Sequence, residues 1–183
     1  DALAVGTVNT VGITRTGDVL LNNQTGDLTL AQNVAIGANA LRLQSVAGKV
    51  DQTAGTITAG TLGVNAGTSV SLASNNAVAT TFAAKATNGD VLFKNANGYD
   101  INTVGADGTL FTLVDGVTAV AAGKNITLDS GGAVTQTAGK DVTTTATGGL
   151  ELKGAGGYTL TNATNNVGTI AAATGAGVIK YVD

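Results

Sequence analysis

One short pattern recurs through the chain: two apolar residues flanking a third, followed within a few positions by Gly, Asn or Asp. Val19-Leu21, Leu28-Leu30, Leu41-Leu43, Leu62-Val64, Val70-Leu72, Val91-Phe93, Ile126-Leu128 and Leu150-Leu152 all have this form. A period of two places alternate side chains on opposite faces and so predicts strands. Between them stand Asn22-Asn23, Gly26-Asp27, Asn75-Asn76, Asn88-Gly89-Asp90, Asn97-Gly98 and Gly131-Gly132. These residue types tolerate φ > 0, so each strand is expected to run a few residues and then bend. No stretch carries apolar residues at helical spacing behind a capping residue. Ala171-Ala172-Ala173 comes nearest, but Gly168 and Gly175 bracket it, which favours strand and turn.

Composition narrows the architecture. Charged residues are 11% and aromatics 3% of the 183 residues, while hydrophobic residues, mostly small, are 43%. Net charge of −3 and positive mean hydropathy oppose disorder. A core without large rings must come from many small branched side chains in regular contact, as stacked strands provide.

Internal similarity supports stacking. Val50-Asp51-Gln52-Thr53-Ala54-Gly55 matches Val134-Thr135-Gln136-Thr137-Ala138-Gly139, and upstream Leu41-Arg42-Leu43-Gln44-Ser45 parallels Ile126-Thr127-Leu128-Asp129-Ser130. Gly89-Asp90-Val91-Leu92-Phe93-Lys94 with Gly98-Tyr99 parallels Gly148-Gly149-Leu150-Glu151-Leu152-Lys153 with Gly157-Tyr158, at an offset shorter by about one coil. Val5-Gly6-Thr7-Val8 matches Ile101-Asn102-Thr103-Val104, which reads as a larger repeat of several coils. The fold expected is all-β, a right-handed parallel β-helix of about eight coils, each of roughly 20 to 25 residues and rising about 4.8 Å. Residues 1–183 form one β-helical segment, expected to be excised from a longer chain because both ends would bare strand edges. A β-sandwich or β-roll is the structural rival.

The phrases Gly48 to Leu62, Thr161 to Ile170 and Gly26-Asp27-Leu28-Thr29-Leu30 resemble the degenerate repeats of filamentous-haemagglutinin-type exoproteins of two-partner secretion. That resemblance implies export through an outer-membrane pore and display on the bacterial surface, for adhesion, biofilm formation or toxin presentation. The secretion domain of such proteins carries Asn-Pro motifs. This chain has no Pro and would therefore be passenger repeat.

Function classes are excluded by what is missing. Without His or Cys there is no Ser-His-Asp or Cys-His nucleophile and no ordinary zinc site. Acids are scattered singly and Glu151 is the only Glu, which disfavours a polysaccharide-active enzyme. No catalytic, cofactor or metal site is therefore expected. Gly17-Asp18 and Gly26-Asp27 have the nine-residue spacing of a calcium nonapeptide without its flanking glycines, and read as turns. Two Arg, Arg15 and Arg42, and seven dispersed Lys give no phosphate-binding stripe, so nucleic acid is not an expected partner. No apolar run is long enough for a spanning helix.

The expected partners are neighbouring repeats of the same chain, with host or bacterial surface glycans or proteins. Candidate glycosylation sites are the sequons at Asn23, Asn125 and Asn162. Tyr99 and Tyr158 are candidate glycan-stacking platforms, against the alternative that they cap the rod's apolar interior or pack across a coil edge. Thr56-Thr58 and Thr143-Thr145 raise an ice-binding reading, which requires one Thr rank repeated from coil to coil. Turn asparagines are expected to stack in ladders, amide to amide, along the rod.

Overall fold

The computed structural model describes residues 1–183 and is all-β, a parallel β-solenoid of eight coils with no helix. The first six coils each contribute to three faces, and the last two contribute strands to faces I and II. Face I stacks Leu3–Val5, Leu28–Leu30, Val50–Gln52, the start of Val70–Ala86, Val91–Asn95, Ile126–Ser130, Gly149–Gly154 and Thr169–Thr174. Face II stacks Ile13–Thr14, Val34–Ala35, the start of Ile57–Ala66, the middle of Val70–Ala86, Tyr99–Ile101, Val134–Gln136, Tyr158–Leu160 and Ile179–Tyr181. Face III stacks Val19–Asn23, Ala40–Ser45, the ends of Ile57–Ala66 and Val70–Ala86, Val117–Ala122 and Val142–Thr145.

The period-two pattern turns alternate residues into interior columns. Leu3, Leu28, Val50, Val70, Val91, Ile126, Leu150 and Ile170 align one above another on face I. A single core of 35 buried residues runs from Val5 to Val167. Burying a Val, Leu or Ile side chain contributes about 1.5–3 kcal/mol, but a lone coil leaves both its sides open, so that gain appears only on stacking. The two end coils show the consequence: Leu3, Ile170 and Ile179, which lie on interior columns, are exposed.

The predicted corners lie where the structure places them, for a different reason. Gly26, Gly89, Gly98, Gly131 and Gly132 are not at positive φ. They are needed because neighbouring coils meet backbone to backbone. A Cβ on Gly131 would fall 2.2 Å from Ala96 O, and one on Gly98 2.2 Å from Ala133 O.

The repeats also resolve differently. Val50–Gln52 lies on face I and its match Val134–Gln136 on face II, while Leu41 is on face III and Ile126 on face I. The repeating unit is thus a strand–corner module that turns up on different faces, not a whole coil. The Gly89 and Gly148 segments do occupy equivalent places, two coils apart. Their spacing contains one enlarged coil: 35 residues separate Val91 from Ile126, against 20 to 25 between other aligned face I positions.

Candidate functional site

The enlargement is an arm. Tyr99–Ile101 ends face II of coil 5, and the chain returns to face III only at Val117. In between, Thr103–Val104 pairs antiparallel with Val114–Asp115, the tip closes through Asp107 and Phe111, and the base closes from Gly116 N to Asn102 O at 3.0 Å. Asp107-Gly108, with Gly108 at φ +54, is an ordinary hairpin-turn signal and the one sequence cue to the arm.

The Val5 match has a related origin and is not a larger repeat. Gly6 to Gly12 is a miniature of the same hairpin. Thr7 pairs with Val11 as Thr103 pairs with Asp115, Gly12 N closes on Gly6 O at 3.0 Å, and Gly12 and Gly116 have φ of +67 and +63. The two tetrapeptides mark the roots of a short and a long arm. Val104 in the long arm is buried, whereas the corresponding Val8 is 92% exposed.

The long arm lies back over the outside of face III, towards the N-terminal end. Two outward-facing rows form its bed: Leu20, Arg42, Gly63 and Ala83, and beside them Asn22, Gln44, Asn65 and Lys85. Val104, Phe111 and Val114 pack on Ala83 and Leu20 as a second, separate apolar cluster. Gly63 makes the room, since a Cβ there would come within 2.6 Å of Val104 Cγ1 and 3.0 Å of Phe111 Cζ. Polar groups fix the rest. Arg42 Nε donates to Gly105 O at 3.0 Å, Asn22 Nδ2 to Leu110 O at 2.7 Å, Asn65 Nδ2 to Thr112 Oγ1 at 2.9 Å, and Thr112 N to Gln44 Oε1 at 3.2 Å. Leu110 and Leu113 face solvent, each 53% exposed.

Three of the six ion pairs touch this bed or the arm. Arg42 lies 3.2 Å from Asp18 and 3.9 Å from Asp107 of the arm tip. The Ala40 N–H and then Arg42 hold the Asp18 carboxyl below the usual carboxylate range. At the arm's base the Thr103 hydroxyl donates to Asp115 and Lys140 approaches to 3.2 Å, and both lower the Asp115 pKa.

No protein-family model, curated protein or solved structure matches this chain.

The other sequence candidates are dispersed. Tyr99 and Tyr158 do not form glycan platforms: they are 4% and 0% exposed, their rings filling the interior. The Tyr158 hydroxyl shares its one proton between Leu128 O at 2.8 Å and Lys153 O at 2.7 Å, and burial pushes its pKa up to about 12. The Tyr99 hydroxyl is buried with no hydrogen-bond partner. Tyr99→Phe is therefore expected to stabilise the protein by about 1–3 kcal/mol and Tyr158→Phe to destabilise it by a similar amount. Urea midpoints moving in opposite directions would bear this out, and a fall for Tyr99→Phe would refute it.

Of the sequons, Asn23 is buried with its Nδ2 donating to Asp1 O and Asp27 O, and Asn162 Nδ2 donates to Thr137 O and to Asp141. Asn125 is exposed and uses only its Oδ1, accepting from Gly149 N. Asp18 and Asp27 stand at different corners of the solenoid and each accepts a backbone N–H from the next coil, Ala40 and Lys49. Thr58 lies on face II beside Ala35 and Ala77, whereas Thr143 and Thr145 lie on face III, so these pairs share no rank. The expected asparagine ladders are replaced by two separate Gln–Asn pairs, each joining adjacent coils. Gln52 and Asn76 exchange amide hydrogen bonds at 2.8 and 3.1 Å, and Gln136 pairs with Asn165 in the same manner.

Proposed function

We propose that this chain is a non-catalytic shaft segment of a secreted bacterial surface adhesin, holding distance and presenting an extended surface for adhesion or biofilm formation. The observation that carries the reading is the continuous interior, one core shared by successive coils and laced at its corners by paired amides. Stability of that kind grows with coil number, so length is adjusted without redesign. The likeness of the Gly48 to Leu62 and Thr161 to Ile170 phrases to filamentous-haemagglutinin-type repeats supplies the bacterial surface as the setting. Its partners in this reading are adjoining repeats of the same chain and host or bacterial surface glycans or proteins.

The end coils give the reading a test. Thr169–Thr174 is an exposed six-residue edge without charge, and the opposite end leaves an apolar mouth lined by Leu3, Val5, Ile13 and Leu21. Unprotected edges of this type add further strands. Small-angle X-ray scattering should therefore show an elongated particle, about 40 Å long for eight rungs of roughly 4.8 Å, that lengthens with concentration. A compact particle of constant size would overturn the shaft reading.

A further inference from the structure

We infer that the arm is a strap that joins coils 1 to 4 to coil 5 and makes the N-terminal half of the solenoid open as one unit. In a solenoid each coil touches only its neighbours, so an end coil is free to peel away first, and the next after it. Within residues 1–183 coil 1 has only coil 2 against it in the sheets, and its interior lines the open apolar mouth, so in this segment it is the coil placed to peel first.

The strap supplies contacts that the stack cannot. It is rooted in coil 5 at Asn102 and Gly116, yet it touches Ala83 of coil 4, Gly63 and Asn65 of coil 3, Arg42 and Gln44 of coil 2, and Leu20 and Asn22 of coil 1. Arg42 is a second link, because it binds Gly105 O of the strap while pairing with Asp18 of coil 1. Coil 1 cannot lift from coil 2 without breaking the Asn22 and Asp18 contacts, and the strap cannot leave without exposing Val104, Phe111 and Val114, each at most 2% exposed. Gly63 and Ala83 are the specific seat: the two smallest residues of the outward row lie against Val104, Phe111 and Val114 of the strap. The inference depends on the solenoid alone and not on what surface the shaft serves.

The molecule's own short arm supplies the variant. Replacing residues 104–114 by Val-Asn-Thr, the residues that connect Thr7 to Val11, would leave the base of the hairpin and remove the strap. Hydrogen–deuterium exchange of the full chain reads the outcome. In the parent protein Val19–Asn23, Ala40–Ser45 and the end of Ile57–Ala66 should exchange with one common protection. In the variant the protection should fall in a gradient, by roughly tenfold or more in Val19–Asn23 and less in each following coil, with Ile126–Ser130 and Gly149–Gly154 unchanged. Phe111→Ala, which keeps the chain length, should give the same gradient in weaker form. Unchanged protection in coils 1 to 3 in either variant, or an equal loss along the whole rod, would overturn the inference.

Discussion

Asn76→Ala is expected to be among the most damaging single substitutions in the chain, lowering stability by about 3–5 kcal/mol. Asn76 is fully buried at the corner between faces I and II. Its Oδ1 accepts from Gln52 Nε2 and from Ile57 N, both at 2.8 Å, and its Nδ2 donates to Gln52 Oε1 and Lys94 O, both at 3.1 Å. One side chain thus ties coil 4 to coils 3 and 5. Alanine would strand the Ile57 N–H and part of the Gln52 amide inside the core, and each such group costs about 1–3 kcal/mol when left unpaired. Asn88→Ala is the control, an exposed asparagine with a single bond to Gly67 O, where a change within about 0.5 kcal/mol is expected. Urea denaturation followed by far-UV circular dichroism would compare them. A loss below about 1 kcal/mol for Asn76→Ala would show that the amide pairs decorate the core without holding it.

The second large effect is expected at Phe93. Its ring stacks on Phe82 with centroids 3.9 Å apart and planes 15° from parallel, and Tyr99 meets both edge-on at 5.8 and 5.2 Å. Elsewhere the interior columns are mostly Val, Leu, Ile and Ala, so this is where large rings cluster in the core, next to the root of the arm. Phe93→Ala should cost about 3–5 kcal/mol, since the surrounding rungs are fixed by their hydrogen bonds and cannot collapse into the void. Combined with Phe82→Ala the two losses should fail to add, with a coupling of about 0.5–1.5 kcal/mol from the lost ring pair. Additive losses would mean that the rings act as separate fillers.

The secondary elements were legible because their cause is local. Leu28-Thr29-Leu30 or Ile126-Thr127-Leu128 can bury two side chains on one face only as a strand, and Gly with Asn between such pairs leaves no other path than a bend. Stacking followed from composition, because so few large rings cannot fill a compact core. The Tyr99 and Tyr158 assignment shows the limit of that kind of reading. A tyrosine after glycine has the same sequence signature inside a coil as outside it, and only the count of residues around the corner decides which face it occupies.

What the sequence determined by itself is the strand–corner module, since alternation, turn residues and small side chains are properties of neighbours along the chain, whereas parallel stacking in place of a β-sandwich or β-roll is settled by the pairing between coils. What only the tertiary structure decided is which face each module occupies, why the corner glycines are required, and where residues 103–115 go. Gly131 is needed because of Ala96, and Gly63 because of Val104 and Phe111. The arm's bed brings Leu20, Arg42, Gly63 and Ala83 from four coils into one outward row, residues one coil apart in sequence that share no side-chain character to mark them as a seat. Contacts between coils are set by register, and register is a sum over every corner before it, which no local pattern contains.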